Sequence, residues 1–423
     1  MKRYYPGLML LALASGALAQ VLVHLAQNGQ LDNRAATGLG LYVASFLALY
    51  LWLRGRGDPV ILPVIACLVG LGLAEIWRLD SARGWQQTWW VALGTVCFAV
   101  ASRFRNWHLV ADLKYVWAVA AALLLVVTII FGNEIGGARA WLRFGRFSFQ
   151  ASELAKLMVV AYLAAYLADT KEFLAAPRRI LWFIKMPPAR HLGPLLLMWF
   201  LFMVMFVFQR DLGGALLLFG VFVLMVYTAS NRLIYITLGS LLVLVGGSLA
   251  YTVFNHVRTR FIVWLNPWQY YQNIGYQIIQ GLFAMAQGGL TGTGLGMGFP
   301  YLIPAAENDF IFNALVEELG LLGGTFILAM YMILVARSLT WAVAHGDDVE
   351  ALAGVGLATL LGLQAIIIIG GVTRMIPVTG VTLPFLSYGG SSMLASFVQM
   401  GLIYSLSVTA AGAGSPQSAA EGV

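Results

Sequence analysis

Long apolar runs separated by short polar intervals dominate the chain. An α-helix of about 20 apolar residues spans a bilayer, and twelve segments approach that pattern. We predict spans near 6–27, 36–53, 60–78, 86–101, 115–131, 152–168, 193–208, 212–229, 233–254, 312–336, 351–371 and 388–410. The hydrophobic pattern therefore predicts an all-α polytopic membrane protein.

One polar interval, 255–311, is much longer than the others. From Asn255 to Ala306 it runs for 52 residues without an Asp or Glu, and Glu307 and Asp309 follow. At a membrane, irregular backbone is tolerated only in water or where it lines a protein cavity. The interval is rich in glycine and carries Arg258 and Arg260 near its start. We interpret it as a large loop suited to chemistry on an anionic substrate.

Composition excludes several other classes. Hydrophobic residues make up 60% and charged residues 10% of the chain, whereas soluble domains carry roughly 25% charged residues. The net charge of +7 does not indicate a nucleic-acid partner, because no basic run is long enough. Cys67 and Cys97 both lie in predicted spans, so neither a disulfide framework nor a zinc site is expected.

Basic residues in short loops set the expected orientation, because they are enriched on the cytoplasmic side. On that basis both termini are cytoplasmic and the 255–311 loop faces outward from the cytoplasmic membrane. The first residues also mimic a secretory signal that ends near Ala19, but the apolar run continues to Leu25, which favours an uncleaved anchor. After about Thr409 the tail is small and polar, and we expect it to be disordered.

Four further groups of residues are candidates. Glu153 and Lys156 lie one helical turn apart and can pair, either as a functional pair inside the membrane or as a structural one. Arg210 and Asp211 form a charged hinge that could be a salt bridge or a helix cap. Glu317-Glu318 begins a span, and a structural role is favoured there.

The fourth group is a broken segment between the last two spans, near 370–392. Its glycines permit close backbone approach, and its free N–H groups could meet an anion at a helix start. Tight helix packing explains the same residues equally well.

These pieces, in order, resemble the SEDS family, the group of RodA, FtsW and SpoVE, over roughly 60–410. The resemblance is carried by Gly137-Ala138-x-x-Trp141, Phe149-Gln150-x-Ser152-Glu153-x-x-Lys156, Gln209-x-Asp211-Leu212-Gly213, Arg258-x-Arg260, Asn266-Pro267-Trp268, Gly275-Tyr276-Gln277-x-x-Gln280, Asp309-Phe310-Ile311-Phe312, Glu317-Glu318-Leu319-Gly320, Pro377-x-Thr379-Gly380 and Pro384-Phe385-x-Ser387-Tyr388-Gly389-Gly390-Ser391. The sequence departs from the family pattern at Ala151, Arg210, Ala305 and Ile368.

The resemblance implies a ten-span core at 56–410, two extra N-terminal transmembrane helices in 1–55 and a cytoplasmic tail at 411–423. It implies a peptidoglycan glycosyltransferase that polymerises lipid II, with a divalent cation, Mg²⁺ or Mn²⁺, and a class B penicillin-binding protein as partner. Membrane lipid surrounds it. The family's essential aspartate falls on Asp309, and substrate-binding candidates are Trp141, Arg258, Arg260, Gln277, Gln280, Ser387, Gly389 and Gly390.

The residues permit this reaction. Asp309 is the natural general base, worth roughly 10²–10⁴-fold, with Glu307 as its rival. Arg258 and Arg260 could clamp the departing pyrophosphate, a task that suits guanidinium groups. Without a second carboxylate placed as nucleophile, we predict a single inverting displacement. A lipid II flippase is the alternative, although a flippase needs ionisable groups along a path through the membrane. A scaffold that only recruits a transpeptidase leaves Asp309 unexplained.

Overall fold

A computed structural model describes residues 5–135, 138–145, 147–175, 178–181, 184–186 and 189–412. Its helices are α1 (Pro6–Asn28), α2 (Asn33–Leu53), α3 (Ile61–Leu79), α4 (Ser81–Ala101), α5 (His108–Asp112), α6 (Lys114–Phe131), α7 (Ala151–Ala175), α8 (Ala189–Phe208), α9 (Leu212–Ser230), α10 (Leu233–Val253), α11 (Asn255–Leu265), α12 (Tyr276–Gly288), α13 (Ile311–Val343), α14 (Asp348–Val372) and α15 (Gly390–Gly412).

Short strands supplement the helices. β1 (Asn133–Ile135), β2 (Ala138–Phe144) and β3 (Phe147–Gln150) form an antiparallel sheet, and β4 (Arg178–Leu181) pairs with β5 (Ile184–Met186). None of these strands was predicted from the sequence, because they are short and lie in loops between the apolar spans.

Each of the twelve predicted spans is helical. Within the described residues, ten helices are long and apolar enough to cross a membrane, and both N-terminal helices are among them. The other two predicted spans fall short in different ways: α4 is not among the ten, and the apolar part of α8, Gly193–Phe208, is too short. The all-α polytopic fold is confirmed.

Two compact units divide the chain. The first comprises Met1–Arg103, Leu249–Arg337 and Gln364–Val408, and the second comprises Phe104–Ser248, Ser338–Leu363 and Thr409–Val423. The N-terminal helices thus share a unit with α3 and α4, and the division of the chain predicted at residue 55 stays a prediction. The predicted tail, 411–423, lies outside the described residues beyond Gly412.

In the first unit the core is built around α3, because 94% of the residues in its apolar stretch are buried. Gly16 of α1 and Gly70 of α3 meet so closely that a Cβ on Gly16 would lie 2.9 Å from the Gly70 Cα. The Tyr42 hydroxyl of α2 donates to the Ala66 carbonyl at 2.8 Å. The two N-terminal helices are therefore packed into this unit by backbone approach and a buried hydrogen bond.

In the second unit α7 is a buried helix, because 72% of the residues in its apolar stretch are buried. It carries Glu153 and Lys156, whose side chains are 6% and 3% exposed and pair at 2.9 Å. The two charges pair within one turn of one buried helix, and their mutual attraction offsets part of the free energy of desolvation.

The predicted loop 255–311 is more ordered than expected. It contains α11, α12 and two 3-10 turns, Pro267–Tyr270 and Pro300–Leu302. The broken segment is irregular from Thr373 to Gly389, between α14 and α15, as the sequence indicated. Both stretches belong to the first unit.

Candidate active site

Asp309 lies two residues before the first residue of α13, Ile311. Its carboxylate is partly exposed and, within the described residues, makes no recorded hydrogen bond or ion pair. It faces Gly380, which has a φ of +74°; a Cβ at Gly380 would lie 3.8 Å from Asp309 Oδ2 and 3.4 Å from Arg260 Nη2. The broken segment, the loop arginine and the loop aspartate therefore meet at one point.

Protein atoms surround the Asp309 carboxyl closely enough to change its acidity. Burial raises its pKa to about 6, and the positive charge of Arg260 opposes part of that rise. A carboxyl with this pKa is mostly ionised at neutral pH, yet it is more basic than an ordinary aspartate. This is the balance that a general base requires.

Arg260 is fixed by the broken segment. Its Nη1 donates to the carbonyls of Val378 at 3.1 Å and Thr379 at 2.7 Å. Arg258, by contrast, is exposed and has no recorded partner among the described residues. Residues two apart on a helix project about 200° apart, so the two arginines lie on different sides of α11, and their substrate-binding role stays a prediction.

Arg374 holds the other end of α11, a role that the sequence analysis missed. Its Nε donates to the Trp264 carbonyl at 2.9 Å and its Nη2 to the Leu265 carbonyl at 2.8 Å. The Trp264 indole N–H donates back to the Arg374 carbonyl at 3.1 Å. These carbonyls end the helix and lack helical partners, so the arginine satisfies them and locks α11 to the broken segment.

Ser387 was predicted to bind substrate, but its hydroxyl is already used within the protein. It donates to the Asn308 carbonyl at 2.6 Å and accepts from the Leu383 N–H at 2.9 Å. Next to it, the Tyr388 N–H donates to the Glu307 carbonyl at 2.8 Å. Ser387 therefore positions the backbone beside Asp309, and its substrate-binding role stays a prediction.

The two glycines of the same motif also face protein. The Gly389 N–H donates to Gln87 Oε1 at 3.2 Å, and the Gln87 amide donates back to the Ser387 carbonyl at 3.2 Å. A Cβ on Gly390 would lie 2.4 Å from the Trp90 ring. These contacts favour close packing for the two glycines, and their substrate-binding role stays a prediction. Gln87, fully buried in α4, was missed, although a glutamine in an apolar span is a signal.

The two glutamines of α12 differ from each other. The Gln277 amide donates to the Pro304 carbonyl at 2.7 Å and so holds the turn that precedes Asp309. Gln280 is partly exposed and has no recorded hydrogen bond among the described residues. Among the described residues Gln280 has its whole amide free for a ligand, whereas Gln277 has already used one N–H.

Glu307, the rival base, is neutralised by a neighbour. It is 9% exposed and forms an ion pair with Arg83 of α4. Arg83 also lies 3.3 Å from Asp80 and stacks over the Tyr388 ring, 5.7 Å from its centroid. A carboxylate held in this way is a poor proton acceptor, which favours Asp309.

Glu317 and Glu318 are buried, each 1% exposed, and hold the glycine-rich loop 289–299. Glu317 accepts from the Phe299 N–H at 2.6 Å, and Glu318 accepts from the Gly296 N–H at 3.1 Å. Glu318 also pairs with Arg78 of α3, whose Nη2 donates to the Gly298 carbonyl at 2.5 Å. The favoured structural interpretation of the two glutamates agrees with these contacts.

Trp141, Glu153 and Lys156 belong to the second unit, whereas the residues around Asp309 belong to the first. Trp141 lies on β2, where it pairs with Asn133 of β1 and Gln150 of β3, and it is partly exposed. Its substrate-binding role stays a prediction.

Comparison with known proteins decides the family. The pattern of the FtsW, RodA and SpoVE family, described as cell cycle protein, matches residues 65–411. The chain belongs to this family. It is 39% identical over 366 residues to the peptidoglycan glycosyltransferase RodA of Mycobacterium tuberculosis, an alignment that covers 83% of this chain and 78% of that protein.

Solved structures agree with the family assignment. A chain of a peptidoglycan synthase complex that coordinates polymerization and crosslinking matches with a TM-score of 0.68 and 26% identity, over 84% of this chain and 98% of that one. The rod shape determining protein RodA of Thermus thermophilus matches with a TM-score of 0.58 and 26% identity, over 83% and 96% of the two chains. This SEDS protein is therefore a multi-pass membrane protein of the RodA type of fold.

Proposed function

We propose that this SEDS protein is a peptidoglycan glycosyltransferase that polymerises lipid II on the outer face of the cytoplasmic membrane, with Asp309 as general base. The observation that carries the mechanism is the state of Asp309. It is the carboxylate of the site that has no recorded partner among the described residues, and its pKa is raised to about 6. Membership of the family and the names of the relatives support the reaction class.

In the proposed step, the 4-hydroxyl oxygen of the acceptor GlcNAc attacks the anomeric carbon of the donor MurNAc. The new C–O bond forms as the bond to undecaprenyl pyrophosphate breaks, and Asp309 accepts the hydroxyl proton. A retaining mechanism needs a second carboxylate as nucleophile about 5–5.5 Å from the first. Glu307 is occupied by Arg83, so a single displacement with inversion is supported.

Positive charge near the leaving pyrophosphate stabilises the transition state. Arg258 is the exposed cation of α11 without a recorded partner in the described part of the chain, so we assign the phosphate contact to it first. Arg260 is committed through Nη1 to two carbonyls. Its role is to tune Asp309 and to position the broken segment.

A divalent cation, Mg²⁺ or Mn²⁺, remains part of the proposal. Within the described residues, no group of three or more His, Cys, Asp or Glu side chains is placed to hold a metal. Mg²⁺ commonly binds through one or two carboxylates together with waters and substrate phosphates, and Asp309 alone fits that requirement. Such an ion would neutralise charge on the departing pyrophosphate.

The partner and the orientation are also proposed. A class B penicillin-binding protein would crosslink the strands made here, in keeping with the synthase complex that this chain resembles. We propose that both termini are cytoplasmic and that the 255–311 loop faces outward, and the basic residues of the short loops support this orientation. A cysteine at Gln272, in a background without Cys67 and Cys97, should react with an impermeant thiol reagent in intact spheroplasts. Labelling only after lysis would overturn this orientation.

The decisive experiment incubates the purified protein and its partner with lipid II and separates the products on a gel. Wild type should produce glycan strands, and Asp309→Asn should lose about 10²–10⁴-fold in rate, because asparagine cannot accept the proton. Asp112→Asn, at an exposed position on α5, is the matched control and should polymerise normally. Wild-type rates from Asp309→Asn would move the flippase alternative to the front.

A further inference from the structure

A polar cavity in the second unit is used by none of the chemistry proposed above. It has a volume of about 440 Å³ and is lined by Gly132, Asn133, Glu134, Arg139, Phe208 and Arg210. Its walls are the ends of α6 and α8 and the first two strands of the three-stranded sheet. Two guanidinium groups and one carboxylate give it a net charge of +1.

Arg210 occupies a backbone position that normally favours glycine. Its φ is +58°. The Arg210 N–H donates to the Val207 carbonyl and the Asp211 N–H to the Phe206 carbonyl, both at 3.0 Å, the pattern of a Schellman helix end with its left-handed residue usually glycine. A left-handed backbone is sterically disfavoured for arginine, because it brings Cβ close to the following carbonyl oxygen. Strain of this kind points to a function for the side chain.

The cationic groups of the cavity are available to a ligand. Arg139 uses Nε to donate to the Gly132 carbonyl at 3.1 Å, which leaves its terminal nitrogens free within the described residues. Arg210 Nη1 lies 3.3 Å from Glu134 Oε1, with the two side chains 58% and 55% exposed. An exposed ion pair of this kind is weak, so an anion can replace Glu134 at Arg210.

The frame of the cavity is rigid although its arginines are exposed. Gln209, fully buried, donates to the Leu125 carbonyl at 3.0 Å and to Thr128 Oγ1 at 2.6 Å. The Arg139 N–H donates to the Gln209 carbonyl at 2.8 Å. The turn after α8 is thereby fastened to α6 and to β2, so Arg139 and Arg210 are held in place relative to each other.

The cavity lies where two apolar helices end. Phe131 is the last residue of α6 and Phe208 the last of α8, and their side chains are 71% and 69% exposed. The end of an apolar helix marks the boundary between the hydrocarbon core and the headgroup layer. A ligand in this cavity therefore meets phosphate-binding groups on one side and exposed aromatic surface on the other.

We propose that this cavity binds the phosphate group of an anionic phospholipid, held by Arg139 and Arg210, with the acyl chains against Phe131 and Phe208. Guanidinium groups bind phosphate through two parallel hydrogen bonds. Phe131 and Phe208 favour a lipid over a free anion, because inorganic phosphate gains nothing from exposed aromatic surface.

The test uses the full-length protein in detergent, titrated with phosphatidylglycerol and followed by native mass spectrometry. Arg139→Gln and Arg210→Gly should each weaken binding about tenfold, or 1.4 kcal/mol. Glycine suits the left-handed position, so Arg210→Gly keeps the fold. The matched control is Arg143→Gln, an exposed arginine on the same strand that does not line the cavity; it should bind like wild type.

Four other results would overturn the proposal. Equal weakening by Arg143→Gln would indicate diffuse surface attraction, and unchanged binding in both cavity variants would mean that the arginines do not hold the lipid. Displacement of phosphatidylglycerol by millimolar inorganic phosphate would assign the cavity to a free anion. Displacement by stoichiometric lipid II, with phosphatidylcholine as the zwitterionic control, would assign it to the substrate.

Discussion

Asp309 lies just before α13, and Glu318 lies about two turns into it. The two carboxylates have opposite surroundings. Glu318 is buried against Arg78 and accepts the Gly296 N–H. Asp309 has no recorded partner in the described part of the chain, and the nearby arginine already serves two carbonyls. The comparison teaches that a carboxylate with its partners in place stabilises the fold, while one left without them is available for chemistry.

The largest effect on stability should come from removing the Glu318 carboxylate, which has its partners in place. Glu318→Leu removes the buried carboxylate that pairs with Arg78 and that accepts from the Gly296 N–H, and breaking a buried ion pair costs about 3–5 kcal/mol. We expect a large fall in the melting temperature of the detergent-solubilised protein. Glu172→Leu, at an exposed position on α7, is the control; equal melting temperatures for the two variants would contradict the assignment.

Asp309 should behave in the opposite sense. Its folded-state pKa is raised, so ionisation destabilises the folded state as pH rises above the ordinary carboxyl pKa of 3.8 and through about 6. Asp309→Asn should therefore raise the melting temperature by a few degrees at pH 7.5, and the gain should shrink to nothing near pH 4. A variant less stable than wild type at pH 7.5 would show that Asp309 is a structural residue.

Glu307 lies between these extremes and should give a moderate effect. Glu307→Gln removes the charge that faces Arg83 but keeps the Glu307 carbonyl that accepts from Tyr388. We expect polymerisation to fall by about tenfold or less, equivalent to 1.4 kcal/mol, through displacement of the Asp309 backbone. A loss as large as that of Asp309→Asn would make Glu307 the base.

The smallest effect should be a shift in pH dependence. Polymerisation should fall as pH drops through about 6, because protonated Asp309 cannot accept a proton. Arg260→Gln removes the charge that holds this pKa down, so the acidic limb should move to higher pH. Arg258→Gln should reduce the rate without moving the limb, and equal shifts in both variants would remove the distinction drawn between the arginines.

Sequence alone predicted the membrane spans and the long polar interval 255–311, because burial in a membrane requires a local excess of apolar residues. It also singled out Asp309, because a carboxylate after 52 residues without one is visible in a single chain. It did not predict that Ser387 and Arg260 would be occupied. Their partners, Asn308 and the pair Val378 and Thr379, lie 79, 118 and 119 residues away, and no periodic pattern reports a contact at that distance.

The partners of the Gly389-Gly390 motif were also not predicted from the sequence, because they too are distant along the chain. A glycine pair such as Gly389-Gly390 predicts close approach but not the approaching group. Here that group is Trp90 for Gly390, and Gln87 takes the Gly389 N–H. Both come from α4, a helix that the sequence assigned only as a membrane span.

The break inside α13 has a genetic consequence. Gly320 leaves helical geometry at φ 70°, and a Cβ there would lie 2.3 Å from the Gly292 N, while a Cβ on Gly292 would lie 2.0 Å from the Glu318 carbonyl oxygen. The Thr293 and Gly294 N–H groups donate across this gap to the Glu317 and Glu318 carbonyls at 3.0 Å. Each glycine thus contacts backbone atoms. A substitution at another position changes a side chain and cannot remove these atoms. A selection for suppressors of Gly292→Ala should return true revertants at that codon and no compensating alleles at Gly320.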